Sequence, residues 1–160
     1  MKILIVSDTH GNEKNLRRVL KTEKPVDRML HLGDSEATLE HLEQTAGCPV
    51  DVVAGNCDYF NDLPLAKCVE LAGHRLLLTH GHHQYVSFGT EDLEEFAADN
   101  GCDIVLYGHT HVPDIRKTAG GLTVLNPGSL THPRQEGRKP TYIIMELDTD
   151  GRFSLELKTV

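Results

Sequence analysis

The sequence predicts an α/β domain, a mixed sheet system with helices on its outer faces. Three features say so. Short apolar runs alternate with amphipathic stretches from residue 1 to residue 58. Each of five polar motifs follows such a run: Asp8-Thr9-His10, Gly33-Asp34, Gly55-Asn56-Cys57-Asp58, Thr79-His80-Gly81-His82 and Gly108-His109-Thr110-His111. Beyond residue 110 the helical stretches stop, and short strands separated by glycine-containing turns take over. A length of 160 residues suits a single domain, residues 1–160, with one main core. No repeat, low-complexity segment or linker divides it.

Ile3–Val6 is a continuous apolar run, as expected of a strand buried on both faces. Asn12 is placed to cap a helix whose stripe is Leu16, Val19 and Leu20, and Pro25 stops it. Arg28–Leu32 is a second strand, ending at Gly33-Asp34. Ser35 can cap the next helix, with Leu39, Leu42 and Ala46 inward and Gly47 and Pro49 closing it. Val50–Ala54 is a third strand. Lys67–Leu71 and Arg75–Thr79 form a hairpin through Ala72-Gly73-His74. Thr90 with Glu91 and Asp92 opens a helix with Leu93, Phe96 and Ala97 inward, ended by Gly101. Asp103–Tyr107 is a strand running into Gly108-His109. Asp114–Lys117, Leu122–Leu125, Thr141–Leu147 and Phe153–Leu157 read as antiparallel strands.

Composition narrows the function. The formal charge is −8, and no basic groove with interleaved aromatics is evident, which argues against a nucleic-acid or anionic-membrane footprint. No apolar stretch is long enough to cross a bilayer or to serve as a leader peptide. Four cysteines, Cys48, Cys57, Cys68 and Cys102, show neither CxxC pairs nor a disulfide framework, as expected of reduced thiols in a cytoplasmic protein.

The five motifs supply carboxylates, an amide oxygen and at least four imidazoles, the ligand inventory for a pair of divalent metals held by mixed N and O donors. In extended chain, residues i and i+2 share a side, so Asp8 and His10, and likewise His109 and His111, are expected to converge. Each motif alone has a plainer reading: caps, turn formers, a solvated histidine pair, a histidine satisfied at a strand end. Five strand-end motifs together favour a dinuclear metal site. His31, His41 and His74 fall outside the pattern and are expected to be structural or solvated.

The set D-x-H, G-D, G-N-x-D, H-G-H, G-H-T-H resembles the calcineurin-like metallophosphoesterase superfamily. The opening MKILIVSDTHGN and the segment Asn126-Pro127-Gly128-Ser129 are similar to its small YfcE-type phosphodiesterase branch, with the match running from Met1 to about Pro133. The resemblance implies a four-layer α/β sandwich of two mixed sheets flanked by helices. Carried over by position, it implies Asp8, His10 and His111 on one metal, Asn56, His80 and His109 on the other, and Asp34 between them. The histidine-rich set favours Mn, Fe, Ni, Co or Zn over oxygen-preferring Mg or Ca, and since loading follows availability, Mn is named first among them. The implied activity is hydrolysis of a small phosphodiester by metal-activated water, without a protein nucleophile. Ser129 then reads as a turn residue.

One departure concerns Cys57, which stands where many superfamily members carry a histidine that assists the leaving group. A thiol is a poor substitute for imidazole, so a preference for good leaving groups is expected unless His82 or the substrate supplies the proton. A small buried thiol is the plainer reading. Asp58 either orients residue 57 or caps the following turn, and Arg134 can reach a substrate phosphate or remain solvated. Residues 59–66 and 82–90 are placed to overhang the cleft. The competing readings are a phosphomonoesterase or nuclease using the same centre, or a non-catalytic scaffold like the retromer small subunit, whose metal site is degraded. Filled ligand positions favour catalysis. A homo-oligomer is compatible with every reading.

Overall fold

Both faces of the central strands are apolar, and that dictates the layering. The computed structural model describes residues 1–59 and 62–160. In β1 (Lys2–Val6), Ile3 and Ile5 face one cluster while Leu4 and Val6 face another, and all four are fully buried. The chain continues through α1 (Lys14–Glu23), β2 (Arg28–His31), α2 (Leu39–Ala46) and β3 (Val50–Val52). A hairpin, β4 (Ala66–Leu71) and β5 (His74–Thr79), leads through a short turn, His82–Gln84, to α3 (Glu91–Asp99) and β6 (Ile104–Leu106). The last strands are β7 (Asp114–Lys117), β8 (Thr123–Asn126), β9 (Thr141–Leu147) and β10 (Phe153–Thr159).

Two five-stranded sheets result, in the orders β10-β9-β1-β2-β3 and β4-β5-β6-β8-β7. Ile3, Ile5, Leu30 and Leu32 of the first meet Leu76, Leu78, Ile104 and Leu106 of the second in the central core. The outer face of the first sheet packs Leu4 and Val6 under Leu16, Val19 and Leu42 of α1 and α2. The outer face of the second packs Leu77 and Val105 under Leu93 and Ala97 of α3. This is the four-layer α/β sandwich.

β1, β2 and β3 run parallel, and β9 and β10 extend that sheet antiparallel. The expectation of antiparallel tail strands fails at β8. It runs parallel to β6 and antiparallel only to β7. The chain passes from β6 to the sheet edge, forms β7, and turns back to fill the slot beside β6, where all four β8 residues are buried.

Two cap assignments also change. Thr38, not Ser35, caps α2 by accepting the His41 N–H (3.3 Å), because Asp58 captures Ser35. Leu39 is consequently exposed rather than inward. α1 begins after Glu13, and Asn12 Oδ1 accepts the Lys14 N–H (3.1 Å) just ahead of it. Gly47 closes α2 in the left-handed conformation, donating to Glu43, as the sequence suggests.

The β4–β5 hairpin has a two-residue turn, Ala72-Gly73, since Leu71 pairs with His74. Both turn residues have positive φ, 46° and 86°. Asparagine tolerates this conformation better than alanine. Ala72→Asn is therefore expected to raise unfolding stability by about 0.5–1 kcal/mol, measured as a shift in urea midpoint without a change in slope.

Ion pairs tie the outer elements down. Asp51 on β3 takes Arg28 Nε and Lys67 Nζ, both at 2.6 Å, and so links the edge strands of the two sheets. Glu23 at the end of α1 takes Lys2 and Lys158, both at 2.8 Å, and the Tyr142 hydroxyl, also at 2.8 Å.

Candidate metal centre

The polar motifs converge at one end of the sandwich, where the two sheets meet. Asp8 follows β1, Asp34 follows β2 and Asn56 lies beyond β3, while His80 follows β5 and His109 and His111 lie beyond β6. Extended-chain alternation does not bring Asp8 to His10 or His109 to His111. All four are left-handed, with φ of 56°, 47°, 66° and 59°, and Asp34 joins them at 52°. Such conformations are disfavoured for residues with a Cβ and persist where surrounding structure imposes them. Here the imposing contacts are between loops: the Asp8 N–H donates to Gly33 O (3.1 Å), the His10 N–H to Asp34 O (2.9 Å) and the His109 N–H to Asp8 Oδ2 (3.3 Å).

Glycines permit this approach. A Cβ on Gly55 would stand 2.1 Å from Asp34 Oδ1 and 2.4 Å from its backbone N. One on Gly108 would stand 2.1 Å from Ser7 Oγ.

The histidine tautomers follow from their hydrogen bonds. His80 Nδ1 donates to the Leu32 carbonyl and His111 Nδ1 to the His132 carbonyl, each at 2.7 Å, so each Nε2 is free to offer a lone pair. His111 Nε2 lies 3.0 Å from Asp8 Oδ1, and His80 Nε2 lies 3.2 Å from Asn56 Oδ1 and 3.4 Å from Asp34 Oδ2. His10 Nε2 stands 3.9 Å from Asp8 Oδ1 and 3.8 Å from Asp34 Oδ2. The His109 ring centroid is 5.1 Å from that of His80. Ligand atoms of Asp8, His10 and His111 lie within 4.8 Å of one another, as do those of Asp8, Asp34 and His80.

Charge reinforces the arrangement. Burial opposes ionisation of Asp34, but the bond to His80, its charge and the Cys57 N–H donor (2.7 Å) outweigh it and hold the carboxyl far below the usual range. Burial likewise opposes protonation of His80, yet Asp34 and Asp8 raise its pKa. Burial and the neighbouring His80 lower His109. Asp8 is fully buried, and its Oδ1 has no hydrogen-bond partner. A buried carboxylate oxygen without a donor, ringed by imidazole nitrogens, fits a divalent cation.

Comparison with known proteins leads to the same chemistry. Residues 1–150 match the model of the calcineurin-like phosphoesterase superfamily domain. The chain belongs to that superfamily. It is 35% identical to the probable metallophosphoesterase YsnB of Bacillus subtilis, over 94% of this chain and 87% of that one. It is 31% identical to the phosphodiesterase YfcE of Escherichia coli K12, over 100% and 95%. A conserved protein of Streptococcus pneumoniae, described as a predicted phosphoesterase, superposes with a TM-score of 0.84 at 32% identity, covering 99% and 88%. Vps29 of Entamoeba histolytica complexed with zinc shares the fold (TM-score 0.77, 22% identity, 99% of each chain).

Within this superfamily frame, the three remaining sequence-derived site residues separate. Cys57 sits beside the centre, its Sγ 3.4 Å from Asn56 Nδ2, and burial, then Asp34, push its thiol up to about 11. His82 stands with its ring centroid 5.4 Å from His80 and 6.2 Å from His109. Burial and the neighbouring His80, His83 and His109 lower its pKa to about 4. Asp58 is engaged with the backbone around it. Its carboxylate accepts the N–H groups of Ser35 (3.3 Å), Glu36 (2.6 Å) and Gly55 (2.8 Å) and the Ser35 hydroxyl (3.2 Å), clamping two ligand-bearing loops together. Of the two loops expected to overhang, Phe60 and Asn61 lie outside the described residues. Tyr59, Tyr85 and Phe88 present exposed aromatic side chains.

Sequence reading missed two neighbours. Glu36 Oε1 lies 3.4 Å from His10 Nδ1, a carboxylate behind the imidazole. The His132 ring packs 5.2 Å from His10 and 6.4 Å from His111. Glu36 stands two residues after Asp34, the spacing of Asp8 and His10, and that signal could have found it; His132 follows no such spacing, and only the fold reveals it. His31 and His74 are structural, as expected. His31 is buried against Thr9 Oγ1 (3.1 Å), and His74 bonds Asp103 and the Gly151 carbonyl. His41 is exposed and paired with Glu13 at 2.5 Å. Ser129 donates to the Asp8 carbonyl (2.9 Å), which makes it a brace of the Asp8 turn.

Proposed function

We propose that the protein is a phosphodiesterase that hydrolyses a small phosphodiester at a dinuclear centre, with Asp8, His10 and His111 on one ion, Asn56, His80 and His109 on the other, and Asp34 bridging. The observation that carries this reading is the reach of Asp34 Oδ2, 3.8 Å from His10 Nε2 and 3.4 Å from His80 Nε2. One carboxylate thus serves both groups of donors. Four imidazoles suit a transition ion, Mn, Fe, Ni, Co or Zn, over Mg²⁺ or Ca²⁺, and Mn²⁺ is the first ion to test, since loading among them follows availability.

Two divalent cations supply the positive charge that neutralises a phosphodiester and makes water acidic enough to attack at neutral pH. The chain supplies position. Leu32 O and His132 O fix two imidazoles by their Nδ1 protons, Glu36 backs a third, and Asp58 holds the Asp34 and Asn56 loops at one separation. Cys57 adjoins the bridging carboxylate but offers only a thiol to the departing alkoxide. Esters with good leaving groups are therefore favoured.

The test is hydrolysis of bis-p-nitrophenyl phosphate by protein stripped of metal and reloaded with Mn²⁺, beside the matching monoester. Metal-dependent turnover of the diester, with little of the monoester, is expected. Stoichiometric metal binding without turnover under any transition ion would instead favour a scaffold. Cys57→His is expected to raise the alkyl-diester rate relative to the aryl-diester rate. An unchanged ratio would remove the leaving-group argument.

A further inference from the structure

Two of the four cysteines meet outside the metal centre. Cys68 lies on the edge strand β4, paired in register with Leu77 of β5, on the face that carries α3. Cys102 lies between α3 and β6 on the same face. Their Sγ atoms are 3.7 Å apart, in van der Waals contact. Cys68 is exposed and Cys102 is buried. Both backbones are anchored. β4 is paired along its length, the Cys102 N–H donates to Ala97 O (2.9 Å), and the next residue donates to Arg75 O (3.1 Å). The Arg75 side chain reaches the Cys68 sulfur.

We propose that Cys68 and Cys102 form a peroxide-sensitive modification site, in which Cys68 is oxidised first and Cys102 closes a reversible disulfide. The Cys68 thiol gives up its proton, the thiolate attacks hydrogen peroxide and breaks the O–O bond to become a sulfenic acid, and the departing hydroxide takes that proton to leave as one water. The Cys102 sulfur then attacks Cys68 Sγ, the S–O bond breaks, and the hydroxide leaves with the Cys102 proton as a second water. Two thiols and one peroxide thus give one disulfide and two waters. Exposure assigns the first step to Cys68, because the oxidant reaches it. Contact assigns the second to Cys102, because the two sulfurs already touch. Burial and the adjacent Cys68 push the Cys102 thiol up, so it enters the second step carrying the proton that leaves with the hydroxide.

The experiment is peroxide treatment of the full chain, followed by non-reducing peptide mass mapping. The expected product is a fragment joining Cys68 to Cys102, two hydrogens lighter than its reduced parts and restored by dithiothreitol, with free thiols falling from four to two. In Cys102→Ser, Cys68 should accumulate as a sulfenic acid trapped by dimedone, which the wild type does not show. In Cys68→Ser, an exposed change that leaves the core intact, Cys102 should stay a free thiol. A wild-type product with Cys68 oxidised and Cys102 free, a link involving Cys48 or Cys57 instead, or no link at excess peroxide overturns the proposal.

Discussion

Asp34→Asn is expected to lower metal-dependent diester hydrolysis by about 10³-fold or more while leaving the fold in place. The asparagine keeps the size of the side chain and one oxygen, so the Cys57 N–H retains an acceptor. What is lost is the negative charge within reach of both His10 and His80. With that one oxygen held by the Cys57 N–H, the Oδ2 position facing both imidazoles becomes an NH2 group, which donates and offers no lone pair to a cation. The measurement pairs kcat with metal stoichiometry by elemental analysis, and far-UV circular dichroism checks the fold. A variant that binds two ions and turns over at the wild-type rate would show that Asp34 is not the bridge.

Glu23→Gln is expected to cost about 1–3 kcal/mol of folding stability near pH 7, the lower end reflecting solvent screening of Lys2 and Lys158. Glu23 is only 4% exposed. Burial by itself raises a carboxyl pKa. The hydrogen bonds from Lys158, Lys2 and Tyr142 outweigh it and bring the pKa from 4.5 down to about 2. The unfolded chain therefore takes up the proton first as pH falls. The stabilisation is fully present above the unfolded value near 4.5 and is lost as pH falls through the folded value near 2. Chemical unfolding across this range should show wild type and variant converging at the acid end and separated at neutrality. Parallel curves would mean that solvent screens Lys2 and Lys158 enough to leave the group without net effect.

The central strands and the five motifs were readable because each leaves a local mark. Ile3–Val6 is apolar at every position, as a short strand buried on both faces would be, and glycine beside His10, Asp34, Asn56, His80 and His109 signals close approach. Layering was a different matter. Periodicity indicated sheets with outer helices, and the four-layer count came through family resemblance. The left-handed backbone at Asp8, His10, Asp34, His109 and His111 leaves no trace in sequence, because bonds between distant loops impose it. Ser35 and Thr38 are equally good caps by composition, and a carboxylate 23 residues further on decides between them. β8 reads as a hairpin partner of β7, and its second neighbour, β6, is set by topology. His132 stands outside any spacing rule, whereas Glu36, two residues after Asp34, does not.

The donors of the candidate centre are divided between the two sheets, four from the first and three from the second. That division makes the centre a gauge of how the halves are aligned. Sliding one sheet over the other by a single ångström would change every distance across the junction and leave the distances within each half intact. The sandwich, by contrast, is held by the apolar layer between the sheets, which owes nothing to the polar end. Alignment is thus what the chemistry demands of the architecture, and the architecture makes no demand in return. A descendant that lost donors at the rim, such as His10 or His109, would keep the apolar layer and with it a two-sheet block for whatever surface it came to serve.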